Sequence, residues 1–216
     1  MSVDGYIDDT GGERLRLSTP ADFDRVDSVR AGCDAILVGA GTVRQDDPKL
    51  LIRSPTRREQ RAARGLPPDL TKVTLTAGGV LDPDARFFTT GESPKLVYTG
   101  SGTAPELAVR LDGRAEVIDA GDPVTLPTVL GDLAARGVRR LMVEGGGGMH
   151  TRFLAEGLAD ELQLVVAPFL IGDPSAPRFV GSGVFPQSPS HPMRLAELTR
   201  IGDLALLRYV AVGTRG

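Results

Sequence analysis

Short apolar runs alternate along this chain with longer segments of mixed polarity, and glycine and proline punctuate the boundaries. Short apolar runs bounded by turn formers read as buried strands, and apolar residues spaced three and four apart read as one helix face. Residues 18–32, "STPADFDRVDSVRAG", fit a helix: Thr19 suits the cap, Pro20 the first turn, and Gly32 the end. Phe23, Val26 and Val29 supply its apolar stripe. "AILVG" at 35–39 then reads as a buried strand, with further strands predicted at 72–76, 95–99, 115–119 and 140–144. "LPTVLGDLAARG" (126–137) and "MHTRFLAEGL" (149–158) read as helices, and "ELQLVVAPFLIG" (161–172) as a strand running into a loop. Residues 193–201 and 204–212 flank Gly202-Asp203, the pattern of an antiparallel hairpin. The pattern predicts an α/β fold whose central sheet, flanked by helices, is mostly parallel with an antiparallel edge. The Pro/Gly-rich stretches 53–71 and 172–192 read as loops decorating a single domain that spans residues 1–216.

Composition narrows the function classes. Of the 216 residues, 41% are hydrophobic and 25% charged, enough to bury a core. A net charge of −3 with interspersed signs points to neither nucleic acid nor a membrane surface. The locally basic run "RREQRAARG" (57–65) reads as a solvated loop or short surface helix. The one cysteine, Cys33, cannot form an internal disulfide, and the two histidines, His150 and His191, do not have metal-ligand spacing, so no metal is expected. Apolar runs are too short to cross a bilayer, and a cytoplasmic location fits.

Two loops carry the chemistry. "LMVEGGGGMHTRFL" (141–154) places four glycines between a strand and a helix. That arrangement lets a backbone approach a phosphate that side chains would block, with the N–H groups of the helix start facing the anion. It lacks the G-x-G-x-x-G spacing and the P-loop lysine, and a glycine turn of this kind is also a common structural device. "VGAGTVRQDDPKLLIR" (38–53) leaves a buried strand through Gly39 and Gly41 and offers Thr42, Asp46, Asp47 and Arg53. In a parallel sheet both loops emerge at the carboxyl edge, where ligand crevices form. Asp46-Asp47-Pro48 also reads simply as a turn.

"MSVDGYID", "RAGCDAILVGAGTVRQDDPKLLIR" and "VEGGGGMHTRFLAEGLADELQLVVAPFLIG" together resemble the pyrimidine reductase domain of bacterial riboflavin biosynthesis, which has a dihydrofolate reductase-like fold. The resemblance covers nearly the whole chain. It implies an NADPH-dependent reduction of 5-amino-6-(5-phosphoribosylamino)uracil to its ribitylamino counterpart, with hydride added at C1′ of the ring-opened imine. Carried over by position, Thr42 and Asp46 resemble residues that contact the dinucleotide, and Ala77 stands where the family has a cofactor-site serine. Gly146, Gly147, Gly148, Met149, His150, Thr151 and Arg152 resemble the pyrophosphate-binding turn and helix start.

Arg30, Leu50, Arg53 and Glu144 resemble substrate-binding positions, and an arginine fork suits a phosphate. Each also has a plainer reading: a solvated charge for Arg30, core for Leu50, a helix cap for Glu144. The catalytic proton donor is not identified by the resemblance; Asp46 is a candidate by location, and water serves equally. The strand ending at Thr99 and Ser101 has no nearby acid to hold a ribose 2′-hydroxyl, in agreement with NADPH.

Departures are confined. Arg14-Leu15-Arg16 stands where many members have Ser-x-Trp, and Met1 begins where the family's first core strand should end, so a longer form is expected. One cysteine cannot supply the zinc signature of the deaminase often fused in front, so the chain reads as the reductase alone, in the family's usual homodimer. Reduction of dihydrofolate or another pterin or pyrimidine is the alternative activity, and a non-catalytic nucleotide-binding homologue the alternative class.

Overall fold

The strand that organises the molecule is β1, Ala35–Gly39, whose "AILVG" is buried on both faces, as a central parallel strand requires. The computed structural model describes residues 1–11 and 15–212. Arg14 of the Arg14-Leu15-Arg16 departure therefore lies outside the described residues. The chain divides into two compact units, Arg25–Gly145 and Met1–Asp24 together with Gly146–Gly216.

In the first unit, β1 pairs in parallel with β2 (Thr71–Leu75), β2 with β3 (Lys95–Thr99), and β3 with β4 (Glu116–Asp119). The chain then returns to lay β5 (Leu141–Val143) on the opposite side of β1, giving the order β4-β3-β2-β1-β5. Ile36 and Val38 of β1 join Val43, Leu70, Phe87, Val97 and Leu107 in one core cluster. All five strands were legible as apolar runs, and their boundaries differ from expectation by a residue or so.

The helices hold more surprises. α1 (Pro20–Ala31) forms as expected, with the Thr19 hydroxyl accepting the Asp22 N–H. Its predicted stripe is not its buried face: Phe23 is 40% exposed, whereas Asp22 and Asp27 are buried. Charged side chains win those positions because each meets donors that cancel its desolvation. The segment after β1, read as a loop, is a helix from its first residue, α2 (Ala40–Asp46), ended by Asp47 in the left-handed conformation. The stretch 53–71 is no mere decoration. It contains α3 (Pro55–Ala63), capped by Ser54, and Arg61 within the supposedly solvated basic run is 1% exposed. Arg61 donates to the carbonyls of Ala31, Cys33 and Pro67, so its charge is buried against the end of α1 rather than hydrated. Two short helices, α4 (Arg86–Thr89) and α5 (Ala104–Arg110), precede α6 (Leu126–Ala135).

The second unit carries α7 (Gly147–Ala155) and a three-stranded antiparallel sheet, β6-β8-β7. The hairpin β7 (Arg194–Ile201) and β8 (Leu204–Val210) forms as read, but its third strand is β6 (Glu161–Val166), so it makes a sheet of its own and is not an edge of the parallel one. All six residues of β6 pair with β8, which gives the hairpin its partner within the same unit. No helix among the described residues is long and apolar enough to cross a membrane.

Candidate active site

Strand order reverses at β1, whose neighbours β2 and β5 lead the chain in opposite directions. Such a switch point opens a crevice at the carboxyl ends of the strands. Here β1 ends at Gly39 and β5 at Val143, with the Glu144 N–H donating to Leu37 O and extending the ladder by one residue. Thr42, in the first turn of α2, lies over Gly145: a Cβ there would sit 2.8 Å from Thr42 Oγ1, and Gly145 has φ +103°. Glycine is obligatory on both counts. Asp46 closes α2, half-buried, and its neighbour Asp47 binds Arg86 through the N–H and, at 2.9 Å, Nε.

Arg30, in the last turn of α1, meets Glu144 as a two-pronged fork, Nε to Oε1 at 2.7 Å and Nη2 to Oε2 at 2.6 Å. The two side chains are 13% and 23% exposed, so the pair is largely withdrawn from water. Burial pulls the Arg30 guanidinium down, but the Glu144 carboxylate outweighs it and holds the group above its ordinary pKa. The solvated-charge reading of Arg30 and the helix-cap reading of Glu144 thus both give way to a fixed ion pair.

The third prong of Arg30, Nη1, donates to Leu51 O at 3.2 Å. This loop is strained and held from several sides. Leu50 has φ +49°, a left-handed conformation costly for a bulky residue, and its side chain lies in the core cluster. The Ile52 N–H goes to Asp69, and those of Arg53 and Ser54 both go to Asp27, at 2.5 and 3.1 Å. Asp27 also accepts from Arg57 Nη1 at 3.0 Å. Burial pushes the Asp27 carboxyl up, yet the Arg53 amide, Arg57 and the Ser54 amide together hold it below the usual carboxylate range. Arg53 itself is exposed.

Farther along the same sheet edge, Ala77 is exposed and its carbonyl accepts from Thr103. The turn after β3 departs from expectation. Ser101 donates to Asp119 at 2.8 Å, and the Asp122 carboxylate lies where a side chain on Gly100 would be. Acids do lie near Ser101, brought by β4 from eighteen residues away in sequence, so the apparent absence of one is corrected.

In the second unit, the remaining glycines divide by cause. A Cβ on Gly147 would meet Arg178 O at 2.3 Å, so that glycine is required by the protein's own backbone. A Cβ on Gly148 would meet nothing within 4 Å. Space in front of the first turn of a helix is what an anion approaching the N–H groups needs. Side chains that follow fix the neighbouring loop: His150 Nδ1 reaches Phe179 O at 3.2 Å, and Thr151 Oγ1 accepts the Gly181 N–H at 2.7 Å while donating to Gly147 O. Met149 is buried, and Arg152 lies 3.8 Å from Glu156.

A groove of about 460 Å³ is lined by Gly147, Gly148, Thr151, Pro177, Arg178 and Gly181. Arg178 stacks on the Tyr6 ring, 4.3 Å from its centroid, and donates to the Tyr6 hydroxyl and Asp4 O, partners without charge. Pro177, Arg178 and Gly181 of the stretch 172–192 thus form part of the wall of a groove.

The model of the RibD C-terminal domain fits residues 1–207. The chain belongs to that family.

Within the RibD C-terminal domain family, the chain is 35% identical over 204 residues to the 2,5-diamino-6-ribosylamino-4(3H)-pyrimidinone 5′-phosphate reductase of Archaeoglobus fulgidus, covering 94% of this chain and 90% of that one. A reductase of the same name from Methanothermobacter thermautotrophicus is 31% identical, with 99% and 95% covered. Among solved structures, a pyrimidine reductase-like protein of Corynebacterium diphtheriae superposes with a TM-score of 0.81 at 24% identity, covering 98% of this chain and 89% of that chain. A bifunctional deaminase and reductase of Thermotoga maritima gives 0.78 at 24%, covering 98% and 54%. The fold is thus the dihydrofolate reductase-like α/β fold of RibD-type reductases.

Two residues of this RibD C-terminal domain were not singled out from sequence. Asp27 stands three residues before Arg30, a spacing that puts both on one helix face. Arg178 is the one arginine or lysine between Arg152 and Arg194, which marks it within an otherwise uncharged-to-acidic stretch.

Proposed function

We propose that this chain is an NADPH-dependent pyrimidine reductase of riboflavin biosynthesis, acting on the ribosyl group of a phosphoribosylaminopyrimidine. The observation that carries the reading is the half-buried Arg30–Glu144 fork at the β1/β5 switch point, reinforced by relatives named as reductases of such a compound. A carboxylate has about four acceptor sites, so two remain on Glu144 for pyrimidine N–H groups while Arg30 fixes its orientation. Arg53 binds the substrate phosphate, and Thr42 and Asp46 are assigned to the coenzyme by their position in the family pattern. The open first turn of α7 and the Arg178 guanidinium fit a diphosphate: one offers amides without obstructing side chains, the other a cation in a fixed orientation. NADPH would supply the hydride that reduces C1′ of the ring-opened imine. The imine nitrogen takes a proton, from Asp46 or water, to give the ribitylamine.

The chain's own contribution is to hold the reacting groups in one orientation, an effect worth several powers of ten. The choice between the 2,5-diaminopyrimidinone and the deaminated 5-amino-6-(5-phosphoribosylamino)uracil leans to the former, since the relatives covered almost end to end carry its name. The test is loss of NADPH absorbance with each compound and with dihydrofolate. Turnover of either ribosylaminopyrimidine supports the proposal; turnover of dihydrofolate alone, or coenzyme binding without consumption, overturns it. The same reading includes a cytoplasmic homodimer. Leu198 of β7, 65% exposed, is its interface candidate, and Leu198→Glu should convert the dimer to a monomer in light scattering.

A further inference from the structure

We infer that Asp27 is a positioning residue that sets phosphate recognition by fixing the backbone beneath Arg53; this rests on the proposed role of Arg53. One face of α1 reads both ends of the 51–54 loop. Arg30 donates to Leu51 O, and one turn earlier Asp27 accepts the N–H groups of Arg53 and Ser54. Two consecutive amides sharing one buried carboxylate leave the chain at 53 little rotational freedom. The loop enters this clamp directly from Leu50, whose left-handed φ of +49° persists only where surroundings over-determine it.

The charge balance matters as much as the geometry. A bare carboxylate beneath Arg53 would cancel its attraction for a phosphate. Arg57, four residues on, stands 3.0 Å from Asp27 Oδ2 and offsets its charge, so that carboxylate repels an approaching phosphate less. Asp27 thus acts through Arg53, and Arg57 acts through Asp27.

The test compares calorimetric Kd values for the phosphorylated ribosylaminopyrimidine and its dephosphorylated riboside, whose ratio reports the phosphate alone. Asp27→Asn weakens both backbone bonds and removes the charge; the ratio should fall about tenfold, with coenzyme Kd moving less than twofold. A merely structural lesion would weaken both pyrimidines alike and leave the ratio unmoved, which would overturn the inference. Arg53→Gln separates the levels. If it leaves the ratio intact, the role of Arg53 is wrong; if it collapses the ratio while Asp27→Asn does not, only the role of Asp27 is wrong. Should Asp27→Asn fail to fold, Arg57→Gln decides: a ratio reduced at least threefold supports the inference, and an unchanged ratio overturns it. Failure of the wild type to bind either pyrimidine overturns the proposed function and this inference with it.

Discussion

The carboxyl end of the parallel sheet and the start of α7 both present polar groups, by opposite means. Around β1 and β5 the work falls to side chains partly or fully withdrawn from water and tied together: Arg30 to Glu144 and Leu51, Asp27 to Arg53, Ser54 and Arg57. At α7 it falls to bare backbone, an open Gly148 and an exposed Arg178 resting on Tyr6. Buried ionic groups are costly to move and suit recognition of one shape, whereas amides at a helix start accept any suitably placed anion. On the proposed reading, the diphosphate falls to the backbone of α7 and the pyrimidine to the side chains around β1 and β5.

The sharpest way to break this comparison lies inside the glycine run. Gly147→Val forces a side chain onto Arg178 O and should cost about 3 kcal/mol in urea unfolding, the upper range for overpacking. Gly148→Val should cost less than about 1 kcal/mol and instead raise coenzyme Kd about tenfold. Equal stability losses for the two would remove the case for a ligand space at Gly148.

Next in size, Glu144→Ala strands the Arg30 charge and should cost about 2–3 kcal/mol, with kcat/KM lower by about 100-fold. A surface-like loss of a few tenths would show that the pair is not the fixed element described.

A pH titration probes the same unit away from the site. Lys72 is fully buried, donating to the carbonyls of Phe87 and Thr90. Burial, helped by Lys95, lowers it from 10.5 to about 8. Below pH 8 both folded and unfolded chains hold the proton, so stability does not vary on its account. Between 8 and 10.5 only the unfolded chain holds it, so stability rises with pH. Relative to Lys72→Met, the wild type should gain about 1–2 kcal/mol between pH 7 and 9.5, measured by urea unfolding. A relative loss would contradict burial as the governing cause.

The smallest effect belongs to the exposed arginine. Arg178→Gln should raise coenzyme Kd about fivefold and flatten its salt dependence, since a charge contact with phosphate is lost. An unchanged salt slope would leave α7 to act through its amides alone.

Local chemistry made much of this legible beforehand. Apolar runs announced β1 to β5, Gly202-Asp203 announced the hairpin, and the strand-glycine-helix pattern marked 141–154 before any coordinates. Thr42, Glu144 and Arg30 were singled out by position in a family pattern, and the fold brings Arg30 and Glu144 into direct contact and Thr42 over Gly145. The misreadings share a cause. Arg61 looks solvated beside other arginines, Asp27 looks like a helix's polar face, and Ser101 looks far from any acid. Each is decided by a partner distant in sequence, from 18 residues for Ser101 and Asp119 to 30 for Arg61 and Ala31.

What the chain's own order of residues determined was therefore its parallel strands, its hairpin, its glycine turn and its family, because these depend on neighbours along the backbone. Tertiary structure alone decided which charges are buried, which glycine faces the protein and which faces open space, and that the hairpin joins β6. Burial and charge pairing are properties of groups that meet across the fold, and their free energy exists only once the chain has brought them together.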